Sequence, residues 1–119
     1  MSLNVDKFLE TKSENLGLGG FESHIFLCVG DKCISSEEGL QVWDFLKAYL
    51  KDNNLDKKIF RSKAGCLRVC GQGVIALTYP SGNWYHNVTK ELVKEIVDTH
   101  LVEKKPFEKN LFATNPLGN

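Results

Sequence analysis

The sequence carries no surplus of either charge. Fifteen basic residues balance fifteen acidic ones, for a formal net charge of zero. A dedicated nucleic-acid binder shows a basic excess, so this balance argues against that class. No apolar run approaches the length of a membrane span. Residues 1–10 are mixed polar and lack the apolar core of a secretory signal. These absences set a reducing cytoplasm as the expected location, with neither nucleic acid nor membrane as a partner. No internal repeat or low-complexity block is visible. The cysteines never occur as C-x-x-C, which counts against a thioredoxin-type dithiol enzyme and against the turn that structural zinc sites favour.

What is present describes an ordinary globular chain. Its 119 residues suit one domain and can bury a real core without a metal. Apolar residues make up 42% and charged residues 25%, which are usual values for a folded domain. Residues 1–22 are expected to form a partly flexible lead-in, with a weak helix at 4–12 and the glycine-rich 17–20 as linker. Residues 23–112 are the expected domain, and 113–119 a tail.

Within that domain, HIFLCV at 24–29 has the apolar, aromatic character of a buried strand. Ser35 or Ser36 suits a helix N-cap, with Glu37 and Glu38 in the first turn. Leu40, Trp43, Leu46 and Leu50 then predict a helix to about residue 51. A short strand at 57–62, a helical turn at most within 65–73, and a strong strand at 74–79 follow. Pro80, Ser81 and Gly82 form a turn, and 83–88 is the returning strand. Thr89 caps a last helix with Leu92, Val93, Ile96, Val97, His100 and Leu101 on its apolar stripe. The polar stretch 103–119 is expected to run extended over the surface. Strand-helix-strand implies a right-handed crossover and parallel pairing, and the hairpin adds antiparallel pairing. The order predicts an α/β, thioredoxin-like fold: a mixed four-stranded sheet flanked by helices.

Four cysteines stand in two pairs, Cys28 with Cys33 (C-x4-C) and Cys66 with Cys70 (C-x3-C). In a reducing compartment stable structural disulfides are not expected, so four thiols point to a metal centre or redox chemistry, unless they are buried small hydrophobes. Cys28 is the one most easily read as core filler. Both pairs are predicted at the carboxyl ends of parallel strands, the edge where open α/β sheets place ligands. A 2Fe-2S cluster needs four thiolates, two on each iron, and so does a four-cysteine zinc site. Gly30, Gly65, Gly71 and Gly73 flank the pairs and let backbone amides approach an anionic group. Lys32, Arg61, Lys63 and Arg68 lie close in sequence, available to offset negative charge.

The stretches HIFLCVGDKC and AGCLRVCGQGVIALTYPSGNWYHNV carry a more specific signal. They resemble the thioredoxin-like 2Fe-2S ferredoxins, the family that includes Shethna-type ferredoxins. That family shows an H-[IV]-F-x-C strand, a G-C-x-x-x-C segment, an apolar strand ending in Tyr-Pro, a Gly-x-Trp-Tyr return and a final helix. The resemblance runs from about His24 to Leu111. It implies that Cys28, Cys33, Cys66 and Cys70 ligate a 2Fe-2S cluster, one pair to each iron, and that the protein is a homodimeric electron carrier between redox partner proteins. Three departures stand out. C-x4-C is shorter than the family's usual first spacing and is similar to that of the thioredoxin-like subunit of respiratory NADH dehydrogenase. Gln72-Gly73 stands where Gly-Pro is common, and Arg68 where smaller residues are.

Trp84 and Tyr85 read first as core and hairpin packing, with a ring near the cluster as a possible water shield. His24, His86 and His100 are scattered and read as structural or exposed. The Lys57-Lys58 and Lys104-Lys105 pairs read as solvated surface, with docking to an acidic redox partner as the alternative. No acid–base pair suggests catalysis, so the expectation is an electron-transfer protein rather than an enzyme. The alternatives are a zinc-stabilised or metal-free thioredoxin-like binding module and a cluster-based sensor or donor.

Overall fold

The computed structural model describes residues 7–29, 36–65 and 73–115. Helix α1 (Lys7–Leu16) precedes strand β1 (Ser23–Cys28), helix α2 (Ser36–Asp52), strands β2 (Ile59–Ala64), β3 (Ala76–Tyr79) and β4 (Asn83–Tyr85), helix α3 (Lys90–Glu95, continuing as a π-helix over Ile96–Val102), and strand β5 (Leu111–Thr114). The sheet order is β2-β1-β3-β4-β5. β1 and β2 pair in parallel, and all other pairs are antiparallel. The expected mixed α/β architecture is present. Its sheet has five strands rather than four, because part of the expected surface tail pairs with β4 as β5.

Helices α2 and α3 cover one face of this sheet. Ile25 and Leu27 of β1, Ile59 of β2, Ala76 of β3 and Tyr85 of β4 join Val42, Trp43, Leu46 and Leu50 of α2 and the buried side of α3 in one core. Each of the larger aliphatic side chains contributes about 1.5–3 kcal/mol of transfer free energy when fully buried. On α2 the buried positions are Gly39, Val42, Trp43, Leu46 and Leu50, whereas Leu40 is 41% exposed. The stripe thus takes in Gly39 and Val42 and leaves out Leu40, which the spacing of large apolar residues placed on it. A Cβ at Gly39 would stand 3.2 Å from Val29 Cα, so the missing side chain is what lets α2 approach the end of β1.

Several local devices set the element ends. Thr89 accepts a hydrogen bond from Leu92 N at 3.1 Å, the expected N-cap of α3. Tyr49 of α2 donates to Asp98 of the π-helical segment at 2.5 Å. Burial and that bond push the Tyr49 phenol up to about 12. Gly17, at φ 91°, closes α1 with Leu18 N on Ser13 O. Lys57 Nζ donates to the terminal carbonyls of Asn15 and Leu16. Helix α1 therefore ends later than the expected residue 12, and Gly17 acts as a helix stop; the expected start at residues 4–6 lies outside the described residues. The Tyr79–Pro80 bond is cis, and Gly82 takes φ 70° in the β3–β4 turn.

Strand alternation sends His24, Phe26 and Cys28 to the opposite face of the sheet. There the rings of His24 and Phe26 stack at 3.9 Å, and Phe60 sits 4.7 Å from His24. Tyr79 meets Phe26 edge-on, and Trp84 meets Phe112 the same way. His24, Phe26, Phe60, Tyr79 and Trp84 are each half-buried. α1, which has no buried residue, does not cover this face.

Candidate metal centre

Of the four candidate ligands, Cys28 lies among the described residues; Cys33, Cys66 and Cys70 lie outside them, as does the expected helical turn. Cys28 is the last residue of β1, a central strand, and only 1% exposed. Its amide donates to Ile75 O at 2.9 Å, and the next amide, Val29 N, donates to Ala64 O at 2.9 Å. In the parallel ladder Cys28 pairs with Ala64.

These contacts fix where the second cysteine pair must start and return. The chain leaves β2 at Ala64 and Gly65 toward Cys66, on one side of Cys28. It comes back through Gly73 and Val74 to Ile75, on the other side of Cys28. β1 lies between β2 and β3, so both stems of the segment bearing Cys66 and Cys70 flank Cys28. The segment bearing Cys33 starts at Val29 and returns at Ser36, the first residue of α2, whose Gly39 packs on Val29. The described stems of both segments thus lie at the Cys28 end of the sheet, and Cys33, Cys66 and Cys70 themselves lie outside the described residues.

Among the described residues the surroundings of Cys28 are apolar. It clusters with Ile75, fully buried, and with Trp84 from β4. Trp84 and Tyr85 thus split: Tyr85 enters the helix-side core, and the Trp84 ring lies on the Cys28 side. Among the described residues, a Cβ at Gly65 would meet nothing within 4 Å. Gly73, at φ 72°, packs against Asn87, and Val88 N donates to Val74 O. Asn87 and Ile75 are site neighbours that the cysteine spacing did not single out. Ile75 lay only in an apolar run, and Asn87 has no sequence signal beyond its place after the hairpin.

The donor set tests whether a cluster fits. Four cysteine thiolates match the ligand demand of a 2Fe-2S centre. Iron ligation requires each cysteine sulfur as the reduced thiolate. Among the described residues no three His, Cys, Asp or Glu side chains gather to hold a metal. His24, His86 and His100 instead make hydrogen bonds elsewhere: His24 to Ser62, His86 to Asn87, and His100 to Ser81 and the Lys105 carbonyl. Burial holds the His24 imidazole below its usual pKa. The residues present fit a cysteine-ligated cluster and offer no histidine ligation.

A thioredoxin-like α/β sheet whose central strand ends in a buried cysteine, in a chain with four cysteines, points to a class of small redox proteins. The comparisons make that class specific. No family model matches the chain. It is 31% identical over 85 residues to a 2Fe-2S ferredoxin of Clostridium pasteurianum, covering 66% of this chain and 83% of that protein. It is 30% identical over 94 residues to a 2Fe-2S ferredoxin of Aquifex aeolicus, covering 72% and 85%. The solved thioredoxin-like [2Fe-2S] ferredoxin from Aquifex aeolicus superposes with a TM-score of 0.72 at 26% identity, over 82% of this chain and 96% of that one. The chain belongs to the thioredoxin-like 2Fe-2S ferredoxins.

Proposed function

We propose that Cys28, Cys33, Cys66 and Cys70 hold a 2Fe-2S cluster and that the protein carries single electrons between redox partner proteins, a reductase and an acceptor enzyme. The observation that carries this reading is the position of Cys28, buried between the two stems of the segment bearing Cys66 and Cys70. When bound, the cluster supplies reversible one-electron chemistry. The protein's own part is ligation, orientation and exclusion of water. Ile75 and Trp84 dry the Cys28 side. The ladder bonds at Cys28 and Val29 fix the strand end, so the sulfur is presented without conformational search.

The half-buried aromatic face around Phe26 supports the second part of the proposal, a homodimer. Apolar faces left open on a small domain mark interaction surfaces, and two copies meeting through one face form a closed, isologous contact. The cytoplasm is the proposed location, where a reducing pool keeps the four thiols available. Among the described residues no helix is long and apolar enough to cross a membrane.

An anaerobic reductive titration tests the function. The expected result is bleaching of the visible absorption with one electron per chain and its full return on reoxidation. A chain that takes up no electron, or holds zinc at stoichiometry, would instead support the binding-module reading.

A further inference from the structure

β2 is one of the two edge strands of the sheet, and it carries a pair of cations on its helix-facing side. Ile59 of this strand enters the core, so Arg61 and Lys63 follow on the same face. Both lie over one indole, that of Trp43 in α2. The Arg61 Cζ stands 5.4 Å and the Lys63 Nζ 5.5 Å from the ring centroid.

The ring attracts each cation, by about 0.5–1 kcal/mol at an exposed site, but it carries no net charge to neutralise them. Among the described residues neither cation forms an ion pair; the three salt bridges present use Lys104, Lys105 and Lys109. The Nε of Arg61 is buried with no hydrogen-bond partner. Arg61 is half-buried and Lys63 exposed, so the two cations gathered on one ring bring positive charge to the surface of this edge strand, where Arg and Lys recognise carboxylates. Lys63, two residues along an extended strand, stands about 7 Å away, where it can meet the same anionic group from its other side. The pair also has a fixed place relative to the metal centre. Lys63 pairs with Leu27 in the ladder, one step before Cys28 pairs with Ala64.

We infer that Arg61 and Lys63, braced on Trp43, form a docking point for a carboxylate on the acidic surface of a redox partner protein. The inference rests on the ferredoxin reading and adds the charge and location of the contact. A neutral chain lacks long-range steering by net charge, so a local pair of cations beside the cysteine end of the sheet is what orients an acidic partner there.

Oxidants of opposite charge supply the test. The dithionite-reduced protein gives one electron per chain to ferricyanide, forming ferrocyanide, or to hexaamminecobalt(III), forming cobalt(II). At low salt the Arg61→Gln/Lys63→Gln variant is expected to react ~10-fold more slowly with ferricyanide and to lose most of the salt dependence. Its rate with hexaamminecobalt(III) should be unchanged or higher, and its midpoint potential unchanged. Hexaglutamate peptide should bind the parent chain, measured by calorimetry, and not the variant. Equal rates for parent and variant with ferricyanide would overturn the inference. So would a common change with both oxidants accompanied by a shifted potential, since the pair would then tune the metal centre. A chain that cannot be reduced at all refutes the ferredoxin reading instead, and hexaglutamate binding that ignores the variant still refutes the docking point.

Discussion

A Cβ placed on Gly73 would stand 2.3 Å from Asn87 Oδ1 and 2.8 Å from Asn87 Cα. Gly73 also takes φ 72°, a conformation that side chains resist. The return stem of the second cysteine segment is therefore clamped by a glycine that admits no replacement. Gly73→Ala is expected to destabilise the fold by about 1–3 kcal/mol, seen as a lower midpoint in urea. It should also reduce the iron retained per chain. Asn87→Ala in the same chain relieves only the side-chain part of the clash, so rescue should be partial.

The cap of α3 gives a simpler test. Thr89 Oγ1 satisfies Leu92 N, and the helix behind it buries Leu92, Val93, Ile96 and Val97. Thr89→Ala should lower the unfolding free energy by about 1 kcal/mol, with the visible spectrum of the folded protein unchanged. Thr89→Ser should recover most of the loss.

His24 gives a pH dependence of defined sign. Burial against Phe26 and Phe60 lowers its pKa from 6.5, so the unfolded chain binds the proton more readily. Stability is then complete above 6.5 and falls as pH drops from 6.5 through the lower folded value. The difference in unfolding free energy between the parent and His24→Phe, followed by urea titration at successive pH values, should show this slope. A difference independent of pH would remove His24 as its source.

The aromatic face bears on the oligomer. Phe26 lies at its centre, stacked on His24 and edge-on to Tyr79. Phe26→Glu places a charge where two apolar faces would meet, and sedimentation should show the parent as a dimer and this variant as a monomer. Phe26→Leu, which keeps the face apolar, should remain dimeric.

Much of this arrangement was legible in the residues, and the exceptions have physical causes. The Thr89 cap and the apolar runs of β1 and β3 announced themselves through local chemistry. The parallel pairing of β1 and β2 followed from the helix between them, and it places Cys28 beside Ala64. β5 was not legible, because Leu111–Thr114 is four residues long, sits behind Pro106 in a polar stretch, and is held by pairing with β4 rather than by its own pattern. Leu40 misled for a related reason. A glycine at 39 marks the buried face, and only the packing of α2 on Val29 reveals that. Lys104 ends the last helix at φ 60° without any glycine to signal it. At the metal centre the sequence named Cys28 and anticipated a ring nearby. It did not indicate that Trp84 rather than Tyr85 supplies that ring, since the two alternate across the sheet and only the helix positions decide which face is core.

The central claim is that four cysteines from three converging stems hold one 2Fe-2S cluster. Iron and acid-labile sulfide analysis of anaerobically purified protein, alongside the visible spectra of Cys28→Ser, Cys33→Ser, Cys66→Ser and Cys70→Ser, tests it most directly. The account predicts brown protein with about two irons and two sulfides per chain, and a perturbed or lost spectrum in every variant. Colourless protein with one zinc per chain, or a variant whose spectrum matches the parent, would contradict it.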